Sequence, residues 1–222
     1  GVRYIRGRRL LAGALLASLV MNSFGFPYLS MLPVIGKETL GLSAVGVGVL
    51  QSAEGFGALI GATLIASLAP TRIYTFLYVG GIALFMSMVL LFSRSEVFAL
   101  SLLLLWGAGF GMASYTSMQT TLFVASAPAE LRGRVIGTAS MALGGNPLGA
   151  LSVGVTAEAL GAPIATMLMS IEGLAVLALV LMAWPELRRP FVIEGDDRAA
   201  PAPPASPSTV DEVDADAASV RR

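Results

Sequence analysis

The sequence predicts an all-α integral membrane protein, and three observations lead to this class. Six long apolar stretches follow one another, each reaching the roughly 20 residues that a helix needs to cross a bilayer. Hydrophobic residues make up 55% of the chain and charged residues only 13%, against roughly 25% charged in ordinary soluble domains. Lipid cannot satisfy backbone N–H and C=O groups, so stretches of this length must be helical. We therefore expect a bundle of six transmembrane helices.

The predicted spans are separated by short polar joints, as neighbouring antiparallel helices require. They cover residues 10–35, 44–69, 73–93, 97–125, 135–157 and 162–184. Ser43, after Gly41, is a plausible N-cap of the second helix. Three prolines, Pro27, Pro33 and Pro147, fall inside spans and should kink them. Such kinks suit a bundle that moves between two states, and a static kink accounts for them equally well.

Basic residues are distributed unevenly over the joints, which predicts the orientation of the chain. If the N-terminus is cytoplasmic, the inner joints hold nine of them and the outer joints hold two. The inner set is Arg3, Arg6, Arg8, Arg9, Arg72, Arg132, Arg134, Arg188 and Arg189, and the outer set is Lys37 and Arg94. This positive-inside bias predicts a multi-pass protein of the cell membrane, plasma or bacterial inner, with both termini in the cytoplasm.

The two ends of the chain differ in character from the bundle at residues 10–185. Residues 1–9 are a basic segment that begins with Gly1 and reads like an interhelical cytoplasmic loop cut in the middle. Residues 186–222 become rich in Ala, Pro, Asp and Ser and carry too little apolar surface to offset the entropy of ordering. We expect this second segment to be a disordered cytoplasmic tail.

Histidine and cysteine are both absent, and their absence excludes several functions. A Ser-His dyad, a His-ligated haem and an ordinary zinc site all need one of them. No Gly-x-x-x-x-Gly-Lys-Ser/Thr loop is present, so ATP is not an expected energy source. We therefore predict that the chain is not an enzyme and holds no metal or cofactor. Its expected partners are the lipid bilayer and a small-molecule substrate, and no nucleic acid.

Polar residues inside the spans carry the functional signal, because a charge at mid-bilayer costs at least ~2.5–3.5 kcal/mol. Glu54 lies near the middle of the second span and Glu172 near the middle of the last. Glu54 either binds a proton or cation or is a neutral acid hydrogen-bonded between helices. The role of Glu172 stays undecided. The uncharged candidates at comparable depth are Asn22, Gln51, Tyr115, Gln119 and Asn146.

Glycines recur at a spacing of four within three spans. Small residues at this spacing let helix backbones approach closely in lipid. The pairs are Gly57 with Gly61, Gly107 with Gly111, and Gly145 with Gly149. None of them follows a predicted strand, so they are expected to serve helix packing and not phosphate binding.

Two groups of motifs resemble the major facilitator superfamily of transporters, and most closely its drug and siderophore exporter branch. One is the run Pro-Ala-Glu-Leu-Arg-Gly-Arg-Val at 128–135, which leads into Asn-Pro-Leu-Gly at 146–149. The other comprises Leu32-Pro33, Gly41-Leu42-Ser43, Gly48-Val49-Leu50 and Gly57-Ala58-Leu59-Ile60-Gly61. The chain departs from the family at 67–72, where it keeps only Arg72 of a turn that is Asp-Arg-Gly-Arg-like in many members.

The resemblance implies that residues 1 to about 190 are the C-terminal half of a twelve-helix transporter. Its further partner would be the missing N-terminal six-helix half, or a second copy. Arg132, Gly133 and Arg134 would form a cytoplasmic loop motif whose arginines either hold the loop inside or also stabilise one transport state. The function implied is ion-gradient-driven export by alternating access. A non-transporting membrane anchor or interaction module, and a membrane-embedded enzyme, are the alternatives.

Overall fold

A computed structural model describes residues 8–190, which are helical almost throughout and include no strand. Only backbone features are described at Thr71 and Ala129. Eight α-helices occur within this range. They are α1 (Arg9–Val20), α2 (Tyr28–Val34), α3 (Ala44–Leu68), α4 (Tyr74–Phe92), α5 (Phe98–Ala125), α6 (Arg132–Ala139), α7 (Gly145–Leu160) and α8 (Ala162–Ala183). The predicted N-cap is present, since Ser43 Oγ accepts the Gly46 N–H at 3.4 Å.

The first span runs over Arg9–Thr39 and is an irregular helix. Five-residue π-helical segments, Met21–Gly25 and Ile35–Thr39, follow α1 and α2. Pro27 lies just after the first of these segments, and Phe26 N–H reaches back five residues to the Met21 carbonyl at 3.0 Å. A proline cannot donate the regular helical bond and crowds the carbonyl four residues earlier, so the wider turn is its expected consequence.

Five helices within the described range are long and apolar enough to cross a membrane, and they correspond to five of the six predicted spans. The prediction for 135–157 differs from the structure, because a 3₁₀ segment, Ser140–Gly144, separates α6 from α7. Pro147 explains the break, since its ring crowds the carbonyl of Leu143 inside that segment. The adjacent Gly144 and Gly145 weaken the helix further.

Helix α5 packs against both α3 and α4, and glycines allow both approaches. A methyl group on Gly57 would collide with the Trp106 backbone carbonyl, and one on Gly61 would come within 3.1 Å of Phe110 Cα. On the other flank, a methyl on Gly111 would come within 2.7 Å of the Phe85 backbone nitrogen. These contacts bring the backbones of the three helices together.

The two other glycine pairs behave differently from one another. Gly149 meets the Ser23 backbone carbonyl and Gly145 the Ser23 side chain, so α7 lies close against the first span. Gly107, by contrast, faces only the flexible end of Met88 at 3.1 Å. Gly109 takes the closer position on α5, directly against the Glu54 backbone carbonyl.

The start of α1 lies beside the end of α8. Arg9 Nε pairs with Glu186 Oε1 at 3.1 Å, and Arg9 Nη2 donates to the Ala183 carbonyl at 3.4 Å. A 3₁₀ turn, Pro185–Arg188, follows α8 and buries Leu187. The rest of the predicted basic segment at 1–9 and of the predicted tail at 186–222 lies outside the described residues.

Candidate functional site

Five polar side chains from three helical segments converge on one buried hydrogen-bond network. Ser18 and Asn22 come from the first span, Tyr78 from α4, and Tyr115 and Gln119 from α5. Gln119 Nε2 lies 2.7 Å from both Ser18 Oγ and the Tyr115 hydroxyl. Asn22 Nδ2 lies 2.8 Å from the Ser18 carbonyl and 3.4 Å from the Tyr115 hydroxyl. The network ties three helices together in the interior.

The donor and the acceptor can be assigned for two of the hydroxyl hydrogen bonds in this network. The Tyr78 hydroxyl donates to the Ala14 carbonyl at 2.7 Å, and a carbonyl can only accept. The Ser18 hydroxyl, 2.7 Å from the Tyr78 hydroxyl, must therefore donate to it. Ser18 Oγ then accepts from Gln119, which explains why the amide nitrogen of Gln119 points inward.

Asn22 is the member of the network whose side chain has an unpaired hydrogen-bond acceptor. Its side chain is only 1% exposed. Its carbonyl oxygen Oδ1 is buried and accepts no hydrogen bond from the described residues. A buried acceptor without a donor costs about 1–3 kcal/mol. Such a group inside a membrane protein calls for an explanation beyond stability.

A cavity of about 190 Å³ lies beside Asn22 and Gln119. Its lining is mixed, with four polar and four apolar residues. The lining consists of Asn22, Gln119, Thr120, Phe123, Ile136, Ala139, Ser140 and Leu143. These residues come from the first span, from α5, and from α6 with the 3₁₀ segment that follows it. The break in the fifth predicted span thus borders the cavity.

Glu54 lies elsewhere, in a second buried contact between α3 and the first span. The Tyr28 hydroxyl donates a hydrogen bond to Glu54 Oε2. Glu54 is 6% exposed and Tyr28 is 2% exposed. Gln51, which lies three residues before Glu54 on α3, is exposed. Glu54 and Gln51 do not line the 190 Å³ cavity.

Aromatic rings fill the space between the Tyr28–Glu54 contact and the polar network. Tyr28 and Phe85 meet edge to face with ring centroids 5.5 Å apart. Phe26 contacts Phe85 at 5.9 Å and Tyr115 at 6.2 Å, also edge to face. Tyr115 in turn lies 5.6 Å from Tyr78. The Tyr28–Glu54 contact and the polar network are therefore linked by a run of contacting aromatic rings.

The remaining candidates stay apart from the network. Asn146 is half-buried near the start of α7, and its side chain makes no hydrogen bond with the described residues. Glu172 is exposed on α8. Arg132, Gly133 and Arg134 are exposed at the start of α6, and Arg132 Nε donates to the Ala127 carbonyl, just beyond the end of α5, at 3.4 Å. That bond holds the loop against the helix end.

Sequence reasoning brought forward Asn22, Tyr115 and Gln119, and the structure places these three together. It missed Ser18 and Tyr78. Spacing offered a signal for Ser18, because it precedes Asn22 by four residues just as Tyr115 precedes Gln119. Polar residues four apart share a helix face. Nothing in the sequence singles out Tyr78, whose partners come from another helix.

The fold and the network define a multi-pass helical membrane protein with polar side chains buried between its helices. Comparison with known families agrees with this class. The family model for the Major Facilitator Superfamily matches residues 1–150, more than half of the 222 residues. The chain belongs to the major facilitator superfamily, whose members are transporters. No curated protein matched the chain.

Proposed function

We propose that this chain is the C-terminal half of a secondary active transporter, an ion-gradient-driven exporter of small molecules of the drug or siderophore type. The observation that carries the proposal is the 190 Å³ cavity with Asn22 and Gln119 in its wall. A gap left by imperfect packing between helices is expected to have an apolar lining. This cavity instead lies beside a buried hydrogen-bond network. Cavities with a few placed polar groups are typical of ligand sites.

The position of the cavity fits alternating access. Its wall combines the π-helical part of the first span with the broken segment before α7. Irregular helix at membrane depth is tolerated where it lines a cavity or is buried in protein. In our proposal the broken run from Arg132 to Leu160 is a sixth crossing. A second six-helix half, or a second copy, supplies the opposite wall.

Glu54 is the candidate for ion coupling in this proposal. It is a buried acid on α3 with one defined donor, the Tyr28 hydroxyl. Its separation from the cavity means that the ion and the substrate would bind at different places. A neutral acid that only fastens α3 to the first span is the other interpretation, and a substitution distinguishes the two.

The test uses the full-length protein in liposomes, with a pH gradient and two fluorescent probes, ethidium and 7-hydroxycoumarin. Uphill, gradient-dependent movement of either probe, absent from protein-free liposomes, is the expected result. Glu54→Gln keeps an acceptor for Tyr28 but cannot ionise. We expect this variant to insert normally and to lose uphill movement. Flux equal to that of wild type between pH 6 and 8 would reject coupling by Glu54.

The liposome assay also separates the alternatives to a transporter. An anchor or interaction module would give no gradient-dependent movement of any probe, with the protein inserted and folded. An enzyme would convert a probe chemically, which chromatography of the liposome contents would detect. Either outcome would contradict the proposed function.

A further inference from the structure

We propose that a pocket with Arg72, Arg188 and Arg189 in its lining binds the phosphate of an anionic membrane lipid. The pocket lies where the start of α4 meets the turn that follows α8. Its lining consists of Arg72, Ile73, Phe76, Arg188, Arg189 and Pro190. None of these residues lines the cavity beside Asn22. The inference therefore goes beyond the proposed function and does not depend on transport.

Two segments that are far apart in the sequence supply the positive charge of this pocket. Arg72 belongs to the 3₁₀ turn Thr71–Ile73, immediately before α4, whereas Arg188 and Arg189 follow α8. Helix α4 contacts both α8 and the turn Pro185–Arg188, and these contacts bring the two segments together. Three like charges around one space repel each other, and an anion bound between them relieves that repulsion.

No acid among the described residues neutralises the three arginines. None of the three forms an ion pair with the described part of the chain. Glu186 lies in the same turn as Arg188, but its Oε1 pairs with Arg9 Nε at 3.1 Å. The pocket that includes Arg94 differs, since Glu96 also lies in its lining. Within the described residues, the pocket beside α4 therefore keeps a net positive charge.

The position of the pocket along the helices matches the headgroup region of a bilayer. Helices α4 and α8 are both long and apolar enough to cross a membrane, and the arginines lie just beyond the ends of these helices. Basic pockets between transmembrane helices at this level bind the headgroups of anionic lipids. The guanidinium group suits such a ligand, because its planar set of N–H donors matches the oxygens of a phosphate.

Apolar side chains beside the arginines favour a lipid over a soluble anion. Ile73 and Phe76 line the same pocket, and the Phe76 side chain is 76% exposed. Phe76 belongs to a helix that can span the membrane, so lipid is available to cover its ring. A lipid carries a phosphate and apolar chains in one molecule and contacts both kinds of surface. Inorganic phosphate would contact the arginines alone.

The acidic residues of the predicted tail are the competing occupant. Glu194, Asp196 and Asp197 follow Pro190 closely in the sequence and lie outside the described residues. Their charge complements the arginines, as that of a lipid phosphate does. The exposed ring of Phe76 on a membrane-spanning helix favours the lipid, and the experiment below distinguishes the two occupants.

The experiment compares dioleoyl-phosphatidylglycerol with dioleoyl-phosphatidylcholine, which have the same chains and differ in net charge. Native mass spectrometry of the detergent-solubilised full-length protein measures bound lipid over a series of lipid concentrations. We expect phosphatidylglycerol to bind roughly tenfold more tightly, the contribution of about one hydrogen bond between charged groups. Equal affinity for the two lipids would overturn the proposal.

Matched double variants test whether these arginines form the site. Arg188→Gln with Arg189→Gln should lower the affinity for phosphatidylglycerol to about that for phosphatidylcholine. Lys37→Gln with Arg94→Gln also removes two positive charges, from exposed positions outside this pocket, and should keep the preference. Loss of the preference in both double variants would indicate a diffuse effect of net charge and contradict a defined site.

Arg72→Gln tests the other segment of the pocket. We expect it to weaken the binding of phosphatidylglycerol about fivefold, the usual contribution of one basic residue at an anionic membrane surface. The substituted arginines and lysine are all exposed, so every variant should unfold at about the wild-type midpoint. Wild-type affinity in Arg72→Gln would contradict a site shared by the two segments.

Two further measurements identify the ligand. Inorganic phosphate at the concentration of phosphatidylglycerol should not displace the lipid, and displacement would indicate a soluble-anion site instead. Changing the seven acidic residues between 194 and 216 to their amides should leave the lipid affinity unchanged. A large rise in affinity that requires Arg188 and Arg189 would show that the tail occupies the pocket and would overturn the proposal. None of these results depends on liposome flux.

Discussion

Tyr28 provides the one donor that the structure gives to the Glu54 side chain. The pair joins α3 to the first span in a part of the protein where no described basic residue compensates the acid. A buried acid in this position depends on its hydrogen bond, whether or not it also carries a coupling ion. Removing the donor and removing the charge are therefore separate experiments.

We expect Tyr28→Phe to destabilise the protein, because it leaves Glu54 without that donor. The expected loss is about 1–3 kcal/mol, the cost of an unpaired buried polar group. The measurement is the midpoint of thermal unfolding in detergent, on the full-length protein. Glu54→Gln should change the midpoint much less, since a glutamine carbonyl still accepts from Tyr28.

Thr63→Val is the matched control for Tyr28→Phe. It also removes a hydroxyl, but that hydroxyl is exposed and donates only to the Leu59 carbonyl of its own helix. We expect a change of about 0.5 kcal/mol or less. A Tyr28→Phe midpoint as high as that of the control would mean that the bond to Glu54 does not hold the helices together.

Depth in the membrane and residue type were enough to single out three members of the buried hydrogen-bond network. Asn22, Tyr115 and Gln119 stand out as polar residues in apolar spans, and they meet. Glu54 stands out by the same criterion, yet its partner is Tyr28 and not the cavity. Hydropathy gives the depth of a residue along its helix. Hydropathy does not identify the helix that packs against that residue, because this depends on contacts between segments distant in sequence.

At the scale of helices, the glycines of α3 separate into two kinds. Gly57 lies against the Trp106 backbone of α5, whereas Gly55 has open space where a side chain would begin. Close backbone approach is a main source of association between helices in lipid, where the hydrophobic effect is absent. The two positions therefore allow a comparison within one helix.

We expect Gly57→Ala to destabilise the pairing of α3 with α5 by about 1–3 kcal/mol, the usual cost of overpacking. Gly55→Ala adds the same methyl to the same helix without a clash, and helix propensity alone favours it by up to about 1 kcal/mol. Thermal unfolding of both variants provides the test. Equal midpoints would show that α3 and α5 do not depend on this contact.

Helix boundaries were predictable where the chain is uniformly apolar. Five predicted spans correspond to long helices because length and composition decide them. The stretch at 135–157 was predicted as continuous, since hydropathy does not register the local effect of Pro147 on Leu143. On α5, Gly109 meets the α3 backbone although it belongs to none of the predicted pairs. Sequence spacing does not identify it, because the packing angle between the helices decides which glycine lies at the contact.

At the scale of the whole molecule, the ion pair between Arg9 and Glu186 puts the start of the first span beside the end of α8. This agrees with the proposal that both ends of the bundle lie on one side of the membrane. The asymmetry of basic residues suggests that the side is cytoplasmic. Neither observation depends on the other.

Single-cysteine labelling tests this orientation in intact cells, with the full-length protein and any other cysteines removed. An impermeant maleimide added outside should label Lys37→Cys and leave Arg132→Cys unlabelled until the cells are opened. Arg94→Cys is the control on the same side as Lys37. Labelling of Arg132→Cys from outside, together with protection of Lys37→Cys, would invert the proposed topology.

The hydrogen-bond chain from Gln119 through Ser18 and Tyr78 ends on the Ala14 carbonyl. A peptide carbonyl does not take up a proton at any physiological pH. A proton transferred along this chain of hydrogen bonds would therefore find no group at its end to accept it. The network therefore does not conduct protons along this path, although it is rich in hydroxyl groups. An exporter with this network would bind its substrate and its driving ion at separate sites. Only movement of the helices that contact both sites would couple the two.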